Sequence, residues 1–319
     1  MYDQIKLNEN LYLDGGVRYD YGVIKTQPYY EWFLSPVTDE NGNTTQQQLQ
    51  RSERKNLTFG NFSASAGLSY GIKNTSYKIN IGKSFRIPLA NELASDGVNY
   101  HMYRYEEGNL DLEPESSYQI DGEFKANFNR GSIQITPFVN YFDNYIYLSP
   151  TSEYYETLQK YQYSQSRVFR YGGEIMAQYE PIDKLSITGS LEYVKARQLS
   201  GKKKNFTLPF SPPLTGVVSL EYTLNPWLTF GDTKLFSSVR LVSDQNNIVP
   251  PEKTTKGYSL INIGLHTSVD LFSKKQPLKI QGRLNNILNN KVFDHTSFYR
   301  LIEVPEPGRN FSITIIQTF

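Results

Sequence analysis

His101 stands among Tyr100, Tyr103 and Tyr105. An imidazole and three phenols in one short segment can contact an iron-bearing ligand, and a solvated loop can carry the same residues without any such role. His295 beside Asp294 allows the same two readings. Lys202, Lys203 and Lys204 set three ammonium groups side by side, suited to an anionic ligand or to lipopolysaccharide phosphate, or simply to a wet loop. Little else in the chain is reactive. It has 3 histidines and no cysteine, so disulfides and thiol chemistry are excluded. No nucleophile elbow, phosphate loop or spaced set of metal ligands occurs. We therefore expect no enzyme, no catalytic residue, no metal centre and no cofactor. A net charge of +1 supplies no field for nucleic acid, and no nucleic-acid partner is expected.

The segments holding these residues lie between strands. Leu11, Leu13, Gly15, Val17, Tyr19 and Tyr21 alternate with Tyr12, Asp14, Gly16, Arg18 and Asp20, which predicts a first strand after a turn at Asn8–Asn10. Residues before that turn read as the tail of an earlier strand. The same period of two runs through residues 62–70, 77–81, 118–128, 133–141, 171–179, 185–193, 214–222, 235–241, 261–269, 278–288 and the carboxyl-terminal stretch Gly308–Phe319. That makes twelve strands. Long polar segments, roughly 25–55 and 86–114, read as loops.

The two faces of these strands differ sharply. Ile120 and Phe124 share one face, whereas Gln119, Asp121, Glu123 and Lys125 share the other. A small soluble barrel or sandwich needs apolar residues inside. A charged inner face suits a wide, wet lumen, with the apolar face on lipid. Arg18, Glu123, Glu174 and Arg283 would then line the lumen. Mean hydropathy is low, at -0.52, and no run approaches the ~18 apolar residues of a spanning helix. Neither observation opposes a barrel, which carries apolar residues only at alternate positions. The 25 tyrosines suit a membrane–water interface, and they suit strands in general. Connections alternate between short turns and long loops, as in outer-membrane barrels, with no blade-length repeat of a propeller. The fold class expected is all-β, an antiparallel transmembrane β-barrel. A soluble all-β binding or adhesive protein and a passive porin are the competing readings.

Two further stretches carry a family resemblance. Ser84-Phe-Arg-Ile-Pro88, Asn91-Glu-Leu-Ala-Ser-Asp-Gly97 and Glu107-Gly-Asn-Leu-Asp-Leu-Glu-Pro-Glu-Ser116 follow one another. This order resembles the signature of TonB-dependent outer-membrane receptors, especially those of Bacteroidetes-like bacteria, through Phe85, Arg86, Pro88, Glu92, Gly108, Asn109, Pro114 and Glu115. Asn285-Asn-Ile-Leu-Asn289 and Pro307-Gly-Arg-Asn-Phe311 are similar to that family's closing motif. The terminal Phe319 resembles the signal read by the barrel-assembly machinery, although Gln317 departs from the aromatic usual there. In the family the signature serves barrel structure first, and that is the role expected of Arg86 and Glu92. Gly97 and Gly108 read as turn residues needing positive φ.

The resemblance implies a barrel of roughly 22 strands around an amino-terminal plug. Met1-Tyr-Asp-Gln-Ile-Lys is not a signal peptide. Residues 1–319 are thus expected to be the carboxyl-terminal part of such a barrel, with its carboxyl end periplasmic in the outer membrane of a Gram-negative bacterium. The implied activity is TonB-coupled import of a scarce, bulky nutrient, a ferric siderophore foremost, then haem, cobalamin or glycan. The implied partners are the TonB complex through the plug, the barrel-assembly machinery, outer-membrane lipids and the nutrient itself.

Overall fold

A chain that alternates apolar and polar side chains over long stretches folds readily into an extended sheet with two unlike faces. The computed structural model, which describes residues 2–269 and 278–317, has that form. Thirteen strands succeed one another in chain order along one sheet, each pairing antiparallel with the next. They are β1 (Tyr2–Lys6), β2 (Leu11–Lys25), β3 (Asn56–Ile72), β4 (Thr75–Arg86), β5 (Glu115–Phe128), β6 (Gly131–Tyr155) and β7 (Leu158–Ile182). β8 (Leu185–Gln198), β9 (Thr215–Leu224), β10 (Thr233–Val242), β11 (Tyr258–Val269), β12 (Leu278–Asn285) and β13 (Asn310–Ile316) complete the series. The twelve strands expected from the sequence are β2 to β13, and the residues ahead of the Asn8–Asn10 turn form β1. Phe319 lies outside the described residues.

Short turns occupy one end of the sheet. Lys73–Asn74, Asn129–Arg130 and Asp183–Lys184 each contain one left-handed residue, Lys73 (φ 49), Arg130 (φ 75) and Lys184 (φ 68). The long segments 26–55, 87–114, 199–214, 243–257 and 286–309 all lie at the opposite end. Two of them carry structure that their polar composition hides. Residues 26–55 hold two small ladders, Tyr29–Tyr30 with Gln50–Ser52 and Ser35–Thr38 with Thr44–Gln47. Residues 87–114 hold the one-turn helix Ala90–Ala94 and the hairpin Asp96–Asn99 with Arg104–Glu107.

The β6–β7 hairpin departs most from the sequence reading. Each strand has 25 residues and they turn at Glu156–Thr157, whereas the alternation had ended near Tyr141 and resumed at Tyr171. Register shifts between Phe142 and Tyr145 and between Pro150 and Tyr154 explain the gap. An extra residue on one strand moves every later side chain to the other face, so a strict period of two fails across it.

The polar face is paired across strands: Lys78 Nζ meets Glu123 Oε1 at 2.9 Å, and the Asn80 amide donates to Asp121 at 2.7 Å. On the apolar face, Val17, Ile79, Ile120, Val218 and Ile313 remain exposed. Aromatic pairs frame this belt. Tyr70–Tyr77 (6.4 Å), Tyr77–Phe124 (5.1 Å) and Phe128–Tyr179 (6.4 Å) mark the short-turn side. Tyr118–Tyr141 (6.4 Å), Phe169–Tyr171 (5.9 Å) and Tyr171–Tyr193 (6.4 Å) mark the loop side. From Tyr118 to Phe128 the strand rises ~33 Å, or ~25 Å at a tilt of ~40°, the height of a barrel's apolar band. Two buried clusters lie toward the long-loop end: Leu93, Leu112, Ile146 and Tyr163, and Phe142, Val168, Ala196 and Leu208. They hold the loops that carry the candidate site.

Candidate functional site

The signature residues converge where β4 gives way to its loop. Arg86, the last residue of β4, donates from Nη1 to Glu92 Oε2 at 2.7 Å and from Nη2 to Glu115 Oε2 at 3.3 Å. The Leu89 N–H donates to the same Glu92 oxygen (2.8 Å), and the Ile146 N–H to the same Glu115 oxygen (2.9 Å). One guanidinium fork thus ties a helix turn, the start of β5 and the elongated part of β6. Pro88 is fully buried, and Phe85 sits in the β4–β5 ladder opposite Ser116. Asn109 donates its N–H to Glu92 O (2.8 Å) and accepts the Asp111 N–H (2.9 Å), which turns the chain toward Pro114 and Glu115.

Gly108 is required here for space rather than for its φ. Among the described residues only Gly42 and Gly201 are glycines with positive φ, which corrects the expectation for Gly97 and Gly108. A Cβ on Gly108 would lie 2.6 Å from Leu93 C and 2.7 Å from Ala94 N, inside the helix backbone. Gly97 has open space around it. The closing motif is built alike. The buried Asn286 side chain bonds the Asn290 backbone at 2.8 and 2.9 Å, and Asn289 Oδ1 accepts the Arg309 N–H at 2.9 Å.

The four residues proposed for ligand contact are not brought together. Tyr100, His101 and Tyr103 sit exposed in the turn of the 96–107 hairpin, Tyr100 at 80 %. Tyr105 is only 3 % exposed, and its hydroxyl is committed. It donates to Asp96 Oδ1 (2.6 Å) and accepts from Arg51 Nη1 (2.9 Å), while Arg51 also holds Glu31 at 2.5 Å. Burial and the bond to Asp96 push the Tyr105 phenol above its ordinary pKa. Placement of Tyr105 beside a ligand therefore does not fit this arrangement. Its hydroxyl ties the 26–55 loop to the 96–107 hairpin, which in turn runs parallel to β7 at Lys160–Gln162. Tyr105→Phe leaves Arg51 and Asp96 each short of a partner. We expect a local loss of about 2 kcal/mol, read as faster proteolysis within residues 26–55.

His295, read from the sequence as a loop residue, is instead buried at 1 % exposure. Its Nδ1 pairs with Thr255 Oγ1 at 2.6 Å. Nε2 lies 3.4 Å from Glu252 Oε1 without a hydrogen bond, and Glu252 Oε2 also has no hydrogen-bond partner. Glu252 Oε1 accepts from Arg300 Nη2 (2.5 Å) and from the Phe210 N–H (3.1 Å), and Arg300 Nε donates to His295 O (2.8 Å). Burial, with Arg300 adding to it, pushes His295 down to about 4; burial pushes Glu252 up. Three loops, 199–214, 243–257 and 286–309, are joined at this point. Rings extend the join: Arg300 lies 5.4 Å over Phe210, Phe210 is 6.0 Å from Phe298, and Arg104 lies 4.9 Å over Phe298. Beside it is a cavity of about 760 Å³, walled by Tyr154, Tyr161, Phe210 and Tyr258, with Lys253, Lys256, Lys291 and Arg300 around it. The volume accommodates a bulky molecule, and the lining offers ring faces and three lysines beyond the Arg300–Glu252 pair, with Glu303 as the other carboxylate. Sequence reading missed these residues, apart from the neighbourhood of His295. The tyrosines of 154–163 were a visible signal, but nothing local marked Glu252.

A family model described as TonB dependent receptor-like, beta-barrel, matches residues 2–287. The chain belongs to the TonB-dependent receptor family. Solved structures share its fold. A structure described as the copper transporter OprC superposes with a TM-score of 0.74 at 19% identity, over 96% of this chain and 45% of the other. The FrpB iron transporter from Neisseria meningitidis (F3-3 variant) gives 0.66 at 15% identity, over 98% and 44%. The hemophore receptor HasR of Serratia marcescens, solved as a double mutant with its hemophore HasA and heme, gives 0.62 at 16%, over 96% and 48%. The chain therefore spans less than half the length of these structures.

TonB-dependent receptors are outer-membrane proteins. In that setting the belt between the aromatic rows is the surface presented to lipid, and the ion-paired face is the lumen wall. The similar structures named above are a copper transporter, an iron transporter and a hemophore receptor. The family resemblance in Ser84–Pro88, Asn91–Gly97 and Glu107–Ser116 thus agrees with the family match over residues 2–287.

Proposed function

We propose that this chain is the carboxyl-terminal part of an outer-membrane receptor that imports a scarce, bulky nutrient with TonB-coupled energy. In this reading the short-turn end and the carboxyl terminus face the periplasm, and the long loops face outward. The barrel has roughly 22 strands in all and encloses a plug. Outer loops capture the ligand, the plug is displaced when TonB pulls, and the ligand crosses the wet lumen. The barrel-assembly machinery inserts the protein into its lipid, reading Phe319.

The observation that carries the reading is the loop-end cavity with ring faces and lysines above a polar-lined, membrane-type sheet. Its chemistry suits an anionic, ring-bearing chelate, a description that ferric siderophores and haem share. A ferric siderophore is placed first because it is the commonest cargo of the family, then haem, cobalamin or glycan. The exposed Tyr100, His101 and Tyr103 would meet the ligand first.

The test is uptake of radio-iron chelates by cells that carry or lack the gene, in backgrounds with and without TonB. The expected result is uptake that needs both. Uptake that survives loss of TonB would establish the passive-porin reading, and a protein recovered folded without detergent would establish the soluble one.

A further inference from the structure

Several loop-end cations have carboxylate partners: Arg51 with Glu31, Arg86 with Glu92, Arg104 with Glu106, Lys160 with Glu107 and Arg300 with Glu252. A cluster on the outer face, away from the cavity and its lysines, has none among the described residues. On the lipid-side face, the aromatic row ends with Phe169 and Tyr171 on β7 and Tyr193 on β8. The next positions on that face, moving away from the belt, are Arg167 on β7 and Lys195 and Arg197 on β8, all exposed. The alternate residues Val168 and Ala196 are buried in the loop-end core. Arg197 pairs with Phe169 across the ladder, and Lys195 with Tyr171.

The following loop folds back onto these strands. The Leu199 N–H donates to Arg167 O (2.7 Å), and the Asn205 N–H donates to Gln198 O (2.8 Å). Arg197 Nη2 donates to Asn205 Oδ1 at 2.7 Å. Between these anchors a turn at Gly201 (φ 73) presents Lys202 and Lys204, both exposed, while Lys203 donates to the Pro250 carbonyl. Arg167, Lys195, Arg197, Lys202 and Lys204 thus share one outward patch with no salt bridge among the described residues. The whole chain is nearly neutral, at +1. Five unneutralised cations gathered at the headgroup side of an aromatic row repel one another unless an anion lies between them.

We propose that this patch binds the phosphates of lipopolysaccharide in the outer leaflet. The proposal rests on the outward orientation of the long loops given above. The aromatic row sets the depth of the acyl boundary, and the cations stand at the height of the phosphorylated sugars. The guanidinium groups of Arg167 and Arg197 can each fork to a phosphate, with the lysines as point charges around them.

The receptor, extracted from its outer membrane in detergent and stripped of lipid, is presented with phosphatidylcholine vesicles carrying bis-phosphorylated lipid A, dephosphorylated lipid A or neither. The first should bind, and raised salt should release it. A variant combining Arg167→Gln, Lys195→Gln, Arg197→Gln, Lys202→Gln and Lys204→Gln should lose at least about tenfold in affinity. The charge-conserving set Lys195→Arg, Lys202→Arg and Lys204→Arg should retain binding. Equal binding of phosphorylated and dephosphorylated lipid, binding insensitive to salt, or full displacement by inorganic phosphate at matched concentration would overturn the proposal. The salt and dephosphorylation arms use the unaltered protein, so they decide even if the variant fails to fold. A receptor that inserts into membranes but ignores phosphate defeats this site alone, whereas one found outside the membrane defeats the transport reading.

Discussion

Arg86→Ala destabilises the receptor by about 3 kcal/mol, seen as a lower midpoint for the heat-induced shift of the folded barrel in gels. Glu92 and Glu115 keep side-chain exposures of only 10% and 12% and would lose their common cation. Removing one partner of a buried pair costs about 3–5 kcal/mol, and the 37% exposure of Arg86 places the effect at the lower end. Arg86→Lys recovers only part of the loss, because one ammonium cannot fork between carboxylates on different elements. Adding Glu92→Gln and Glu115→Gln to Arg86→Ala recovers more, since no bare charge then remains. If the alanine variant melts with the parent protein, the signature is not the clasp its geometry makes it. Retained ligand uptake with lowered stability would separate this structural role from a transport role at the same residues.

Strand order and the contrast between the two faces were legible because each is written locally, in a period of two. The register shifts in β6 erased that period where the hairpin extends beyond the membrane belt, so Tyr145 and Tyr147 read as a tyrosine-rich patch at a strand end rather than as part of a continuing strand pair. The signature was recognisable as a pattern, yet its physics was not. Nothing in the sequence says that Arg86 reaches Glu115, 29 residues away, or that Gly108 must be small because it abuts the helix backbone at Leu93 and Ala94. His101 and Tyr105 looked alike in sequence. One became exposed and the other buried because only Tyr105 lies in a strand that packs toward Arg51 and β7. The burial of His295 depends on Thr255 and Arg300–Glu252 contacts spanning 40 and 48 residues, a distance at which composition carries no signal.

The same buried histidine makes the loop join sensitive to acid. Folded His295 takes a proton only near pH 4, whereas in an opened loop it does so near 6.5. As pH falls from about 6.5 to about 4, the opened state gains a proton that the closed state refuses, and closure loses stability. The loss amounts to about 3 kcal/mol over that window and stops below it. Glu252 acts in the opposite sense. Its carboxyl is raised by burial, so the closed state accepts that proton first and regains some stability as pH falls. The Arg300 guanidinium disfavours a second cation at His295, while Asp294 favours one. The histidine is isolated by comparing the parent protein with His295→Gln, which keeps a polar group toward Thr255 but does not titrate. Hydrogen exchange at the paired Gln245 and Thr255 amides, corrected for intrinsic rates, reads the opening of this join. Protection of the parent relative to the variant should fall about a hundredfold between pH 6.5 and 4. A ratio that stays flat across the window would show that His295 is protonated, or reached by water, in the closed state. An unchanged ratio with both proteins opening in acid would assign the transition to other groups.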